Sequence, residues 1–204
     1  MNILAFDTCL DKTYITLIID NKIVKSKIIS SDGENYHSAY LISTIVNILK
    51  EAKIKPKDLD IIATDIGPGS FTGIRACVTV ARVLAQQLNI KVIGISSLEI
   101  LSKILGDNDL VVLDARKNKA YVYDEDIKGA IELEQVNELV KDRRVITDNS
   151  LLEMLNKNTT NAISYQNGNY PLGDILSKLA LTKDAIEWAK LKPLYIQPPP
   201  IFGK

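Results

Sequence analysis

The chain has 204 residues, 46% hydrophobic and 25% charged, and its 25 Lys+Arg cancel its 25 Asp+Glu. That arithmetic describes an ordinary globular protein with enough chain to bury a core, and it excludes a largely disordered segment. A neutral balance without a dense Lys/Arg run also removes any general electrostatic grip on a polyanion or an acidic membrane.

Cys9 and Cys77 stand far apart without CxxC or Cys/His spacing, so the spacing indicates neither a disulfide framework nor a metal site. His37 is the single histidine, which excludes any site needing two imidazoles. No apolar stretch nears the roughly 20 residues that span a bilayer. The opening MNILAFDT carries no basic leader, so the expected address is the cytoplasm.

In chain order, Ile3–Phe6, Tyr14–Ile19 and the run from Ile23 read as three antiparallel strands. From His37 to about Ala52 the residues Leu41, Ile42, Ile45, Val46, Ile48 and Leu49 recur at helical spacing, and Pro56 stops the pattern. Asp60–Ile66 reads as a buried strand, Gly67–Gly73 as a tight turn, and residues 71–88 as a long helix. Val92–Ile95 is the next strand, and Ser96-Ser97 caps a short helix. The first half is therefore βββαβαβα.

In the second half Leu110–Leu113, Ala120–Tyr123 and Arg144–Thr147 read as strands. Helices are expected near 134–141, 149–156, 172–180 and 183–190, and Pro198-Pro199-Pro200 forms a stiff tail. No internal repeat is visible. The fold class is α/β, a mixed sheet with helices, in an order that suits an actin/hexokinase/Hsp70-like (ASKHA) half-domain. The expected division is an N-terminal lobe over 1–105, a reduced C-terminal lobe over 106–183, and 184–204 packing back on the first lobe.

Gly67-Pro68-Gly69-Ser70-Phe71-Thr72-Gly73-Ile74-Arg75 is the most unusual segment. Its glycines, the Ser70 cap and Arg75 one turn into the helix offer an anion site at a helix N-terminus. The competing reading is a compact turn whose glycines serve packing. No Walker A lysine follows. Asp7 at the end of the first strand is either a carboxylate near phosphate-bound magnesium or a turn residue. Asp114-Ala115-Arg116 is either an internal ion pair or a ligand contact. His37 beside Ser70, Cys9 or Cys77 has no spacing that supports a hydrolase triad. In the helix over 71–88, Ile74, Cys77, Val78, Ala81, Leu84, Ala85 and Leu88 form one stripe, and Ala76, Val80 and Val83 extend it. That arc exceeds the roughly 100° a surface helix needs. Its surplus face is either buried internally or meets another chain.

The loop at 67–75 resembles the hallmark of the TsaB (YeaZ) family, which acts in forming threonylcarbamoyladenosine beside the tRNA anticodon. Asp7-Thr8-Cys9, His37-Ser38, Ser96-Ser97-Leu98-Glu99, Asp114-Ala115-Arg116 with Tyr121, and Pro193-Leu194-Tyr195 extend the resemblance. It departs at Cys9, where serine is usual, and at Gln197, where a basic residue is common. The resemblance implies two actin-like lobes, the second reduced, and a non-catalytic relative of TsaD. TsaD's metal-holding histidine pair has no counterpart, since Leu41 stands four residues after His37. The implied partners are a TsaD-like catalytic subunit, a TsaE-like ATPase, tRNA only through that complex, and a second copy when the chain is alone. The partner surface is expected on the helices at 37–53 and 71–88, with Leu41, Ile45, Ala76, Val80 and Val83. No cofactor is expected to bind independently; the candidate contacts are Asp7, Gly67, Gly69, Ser70, Gly73 and Arg75, toward ATP or ADP held at a partner interface. The alternatives weighed are a stand-alone nucleotide-dependent phosphotransferase, which lacks a second phosphate loop, and a peptidase, which lacks its metal pattern.

Overall fold

The computed structural model describes residues 1–31, 36–106, 109–159 and 161–197, in two units. The first unit holds Met1–Ile100 with Pro171–Pro193; the second holds Leu101–Tyr170 and the segment from Leu194.

The first unit is organised on β1 (Ile3–Asp7), buried along its whole length. β2 (Thr13–Ile19) and β3 (Lys22–Ile29) return beside it as an antiparallel meander. Their turn places Asp20 and Asn21 at φ of 49° and 63°, the left-handed pair of a two-residue hairpin that matches strand twist. β4 (Ile61–Asp65) and β5 (Lys91–Ile95) lie parallel on the other side, giving the order β3-β2-β1-β4-β5. The edge strand β3 carries Lys22, Lys25 and Lys27, charges that discourage pairing with another strand.

α1 (Leu41–Glu51) and α2 (Phe71–Leu88) cover one face of this sheet. Leu4 and Phe6, Ile15 and Leu17, and Ile62 point into that layer because alternate strand residues share a face. They meet Leu41, Ile45, Ile48 and Leu49 from α1 and Ile74, Cys77, Val78, Ala81 and Ala85 from α2. Leu41 and Ile45 were expected at a partner surface; instead they are core residues. Their spacing marks the apolar stripe correctly, and the sheet, not a partner, covers it.

The opposite face takes a helix from far along the chain, Leu172–Ala180, which stands in the first unit although the sequence reading assigned it to the C-terminal lobe. Amphipathic spacing shows that a helix buries one face but does not say against which sheet. Here Asp174 Oδ1 accepts from Thr16 Oγ1 at 2.9 Å and also from Ser26, and a Cβ on Gly173 would lie 2.7 Å from Thr16 Oγ1. The segment expected as a helix near 183–190 is different again. Ile186 exchanges backbone hydrogen bonds of 2.8 and 2.9 Å with Val92 at the sheet edge, and only Trp188–Lys190 makes a 3-10 turn. Arg82 lies over the Trp188 ring at 6.0 Å from its centre.

After the short α3 (Ser97–Leu101), the second unit builds β6 (Leu110–Arg116), β7 (Lys119–Asp124), β8 (Asp126–Glu132), β9 (Val145–Thr147) and β10 (Ala162–Ser164) into the order β10-β9-β6-β7-β8. Its first strand has an antiparallel meander on one side and two parallel strands on the other, the same plan as the first unit. No sequence repeat announces this, because the plan rests on where strands and helices alternate and not on shared residues. The strands β8 and β10 were not expected from the sequence. α4 (Leu133–Leu139) and α5 (Asn149–Leu155) are seven residues each against 11 and 18 for α1 and α2, so this unit is the reduced one. The helix Leu172–Ala180 is α6. The Pro198-Pro199-Pro200 tail lies outside the described residues, as does the side chain of His37.

Candidate functional site

β1 and β4 run side by side in parallel, pairing Phe6 with Thr64, and both end in aspartate. This register sets Asp7 and Asp65 together at one end of the sheet, where both are buried. Asp65 is well served: Oδ1 accepts from the Gly67 N–H at 2.6 Å, and Ser97 Oγ donates to the carboxylate at 2.7–2.8 Å. Asp7 is not. Its Oδ1 accepts from the Cys9 N–H at 2.5 Å, whereas its Oδ2 has no hydrogen-bond partner among the described residues.

Cys77, on the second turn of α2, closes the cluster. Its Sγ receives the Thr8 N–H at 3.0 Å and lies 3.1 Å from Thr8 Oγ1. Burial, and then the charge of Asp65, pushes the Asp7 carboxyl well above the usual carboxylate range. Burial also lifts Asp65 to about 6, held from rising further by its bonds from Gly67 and Ser97. Cys9 is raised by burial. At Cys77 burial acts in the same sense, but hydrogen bonds from Cys9, Thr64 and Thr8 outweigh it and lower the thiol below its ordinary value.

The Gly67–Gly73 loop is built onto this cluster. Ser70 donates its N–H to Cys9 O at 2.8 Å, and its Oγ caps the helix by accepting from the Gly73 N–H at 3.3 Å. Thr8 Oγ1 donates to Gly73 O at 2.8 Å. A Cβ on Gly69 would stand 2.4 Å from Cys9 O, and one on Gly73 only 1.8 Å from Thr8 O. Both glycines are there to let the helix N-terminus lie directly on the Thr8-Cys9 backbone. The N–H groups of Gly67, Ser70 and Gly73 are bonded within the chain and are not available to a phosphate. Arg75 is exposed and lies over the Phe71 ring, 5.4 Å from its centre.

Asp114 sits apart from these residues in sequence and in unit. Its N–H donates to Asp148 Oδ2 and its own Oδ1 accepts from the Arg116 N–H, both at 2.7 Å, so it orders the β6–β7 turn.

The outer surfaces of α1 and α2 are the other candidate. Both helices lie on the same sheet face, yet Ile42 and Val46 on α1 are 51% and 57% exposed, and Phe71 and Val83 on α2 are 49% and 50% exposed. Ala76 and Val80 are half-buried, and Val80 also touches the core. Of the five residues expected at a partner surface, Ala76, Val80 and Val83 therefore reach the surface, while Leu41 and Ile45 do not. The sequence reading missed Ile42, Val46 and Phe71, although Ile42 and Val46 are one helical turn apart and off the core stripe. It also missed Asp65, whose signal was a buried strand ending in aspartate, as in β1. Cys9 and Cys77, far apart in sequence and without a ligand spacing, meet in the fold: their sulfurs and the Asp7 carboxylate lie within 4.8 Å of one another. Among the described residues, no helix is long and apolar enough to cross a membrane.

Two units on one strand plan, three-layered in the first and reduced in the second, define an ASKHA-like α/β protein. Residues 19–177 match the family of TsaD, tRNA N6-adenosine threonylcarbamoyltransferase. The chain is 38% identical to the tRNA threonylcarbamoyladenosine biosynthesis protein TsaB of Buchnera aphidicola (Schizaphis graminum strain) over 50% of its length and 47% of the relative. It is 33% identical to TsaB of Bacillus subtilis over 76% of its length and 66% of the relative. The alignments span about half to two thirds of these curated relatives, from 47% to 66%. YeaZ from Pseudomonas aeruginosa superposes with a TM-score of 0.73 at 21% identity, covering 95% of this chain and 99% of that one. The chain belongs to the TsaB (YeaZ) family.

Proposed function

We propose that this chain is a non-catalytic subunit in the biosynthesis of tRNA threonylcarbamoyladenosine, docking on a TsaD-like catalytic subunit through the outer face of α1 and α2. The observation that carries the docking surface is the exposure of Ile42, Val46, Phe71 and Val83 on two helices whose opposite sides already fill the core. Large apolar side chains left exposed on helices favour a protein partner. The curated relatives named for threonylcarbamoyladenosine biosynthesis support the pathway. The non-catalytic role is supported by the Gly67–Gly73 loop, where the N–H groups of Gly67, Ser70 and Gly73 serve Asp65, Cys9 and Ser70 in place of a substrate phosphate. Alone, the same face pairs with a second copy; in the complex, a TsaE-like ATPase joins and tRNA contacts the assembly.

The test is a tRNA threonylcarbamoylation assay with TsaD, TsaE and threonylcarbamoyl-adenylate, with and without this chain. Modification that requires the chain is the expected result. Equal modification in its absence refutes the accessory role.

A further inference from the structure

The buried cluster at the end of β1 is not used by the docking face, and its chemistry is unfinished. Asp7 Oδ2 is enclosed and lacks a hydrogen-bond partner, while Oδ1 is pinned by the Cys9 N–H at 2.5 Å. Among the described residues no lysine or arginine pairs with Asp7 or Asp65. An enclosed carboxylate oxygen in that position calls for a proton or a cation. A proton shared with Asp65 would answer for the oxygen alone. It does not involve the two sulfurs beside the same carboxylate: the Cys9 thiol donates to Asp65 O at 3.6 Å, and Cys77 Sγ accepts from the Thr8 N–H at 3.0 Å.

We propose that Asp7, Cys9 and Cys77 form a binding site for one thiophilic divalent cation of the zinc type. The distances approach those of a shared ion. Zinc–sulfur bonds of about 2.3 Å and zinc–oxygen bonds of about 2.0–2.2 Å keep any two donors of one ion within about 4.6 Å. The three donor atoms here already lie within 4.8 Å of one another, so a few tenths of an ångström close the site. The Thr8 N–H, 3.0 Å from Cys77 Sγ, is the outer contact that orients a thiolate ligand and moderates its charge. The Cys9 N–H does the same for Asp7 by holding its Oδ1. Two sulfur donors select zinc or cadmium over magnesium or calcium.

Loading exchanges protons for metal without any redox change. The two S–H bonds break, two metal–sulfur bonds form, and both protons pass to solvent, as does any proton on Asp7. Gly69 and Ser70 lie against the Cys9 backbone and cover the cluster, so the ion enters as the chain folds.

The experiment unfolds the chain with denaturant, chelator and reductant, then refolds it with equimolar Zn2+, Mg2+ or no metal. After desalting, elemental analysis is expected to find about one zinc per chain and no magnesium. Refolding with Co2+ should add a sulfur-to-metal charge-transfer band in the near ultraviolet. Cys9→Ser, nearly isosteric with the thiol, should fold by circular dichroism yet retain less than a tenth of the zinc. Zinc kept equally by wild type and Cys9→Ser would mean binding elsewhere and overturn the site. Wild type that folds but keeps no zinc would also overturn it, leaving the proton shared with Asp65 as the answer for Oδ2. Should Cys9→Ser fail to fold, the cobalt spectrum of the wild type decides: no charge-transfer band, no site.

Discussion

Replacing Gly73 by alanine is the sharpest test of how the hallmark loop works. By helix propensity alone, Gly73→Ala inside α2 should stabilise by about 1 kcal/mol. The structure reverses that sign. The new Cβ would stand 1.8 Å from Thr8 O, 2.7 Å from Thr8 C and 3.1 Å from Cys9 Cα, all backbone atoms that cannot swing aside. To reach ordinary contact the helix N-terminus must retreat by more than an ångström. That stretches the Thr8 Oγ1 bond to Gly73 O and the Ser70 N–H bond to Cys9 O, both 2.8 Å. Two hydrogen bonds at about 1 kcal/mol each, with overpacking of about 1–3 kcal/mol, outweigh the propensity gain. The net expectation is a loss of about 2–4 kcal/mol, read from urea unfolding with Thr79→Ala, exposed on the same helix, as the control. Gly73→Ala as stable as wild type would refute the claim that close approach, and not conformational freedom, demands glycine there.

Other outcomes follow from other parts of the molecule. Val83→Arg should leave unfolding within about 0.5 kcal/mol of wild type while weakening association with a TsaD-like partner or a second copy about 100-fold or more. A clear loss of stability would show that face to be internal; Val80→Arg is the poorer probe because Val80 also touches the core. Asp174→Ala removes the acceptor for Thr16 and Ser26 and should cost about 2 kcal/mol in chemical denaturation, an effect absent if α6 docks by apolar contact alone. In the metal-free chain, folded Asp65 titrates at about 6 against 3.8 when unexposed to the fold. The folded state therefore holds more protons between these values, and its stability falls as pH rises through that window. Relative to wild type, Asp65→Asn should gain up to about 3 kcal/mol from pH ~4 to pH ~6. A stability difference that does not change with pH would exclude a raised Asp65.

What the sequence by itself determined is local. Strand alternation, the 3.6-residue stripes, the Ser70 cap and the Pro56 stop placed β1, β2, β4, α1 and α2, because those signals depend on near neighbours along the chain. The Gly67–Arg75 loop marked the family for the same reason. Elements short in sequence or defined by a distant partner escaped: β8 and β10 take their pairing from β7 and β9, and the stretch at 183–190 is held extended by Val92. Only the tertiary structure decided which sheet α6 covers, because amphipathic spacing names a buried face without naming what buries it. It also decided that Leu41 and Ile45 face the sheet while Ile42 and Val46 face out. Above all it brought Cys9 and Cys77 to Asp7, a meeting of β1 with α2 that depends on parallel pairing of β1 and β4 and on two glycines that let the helix end touch the strand.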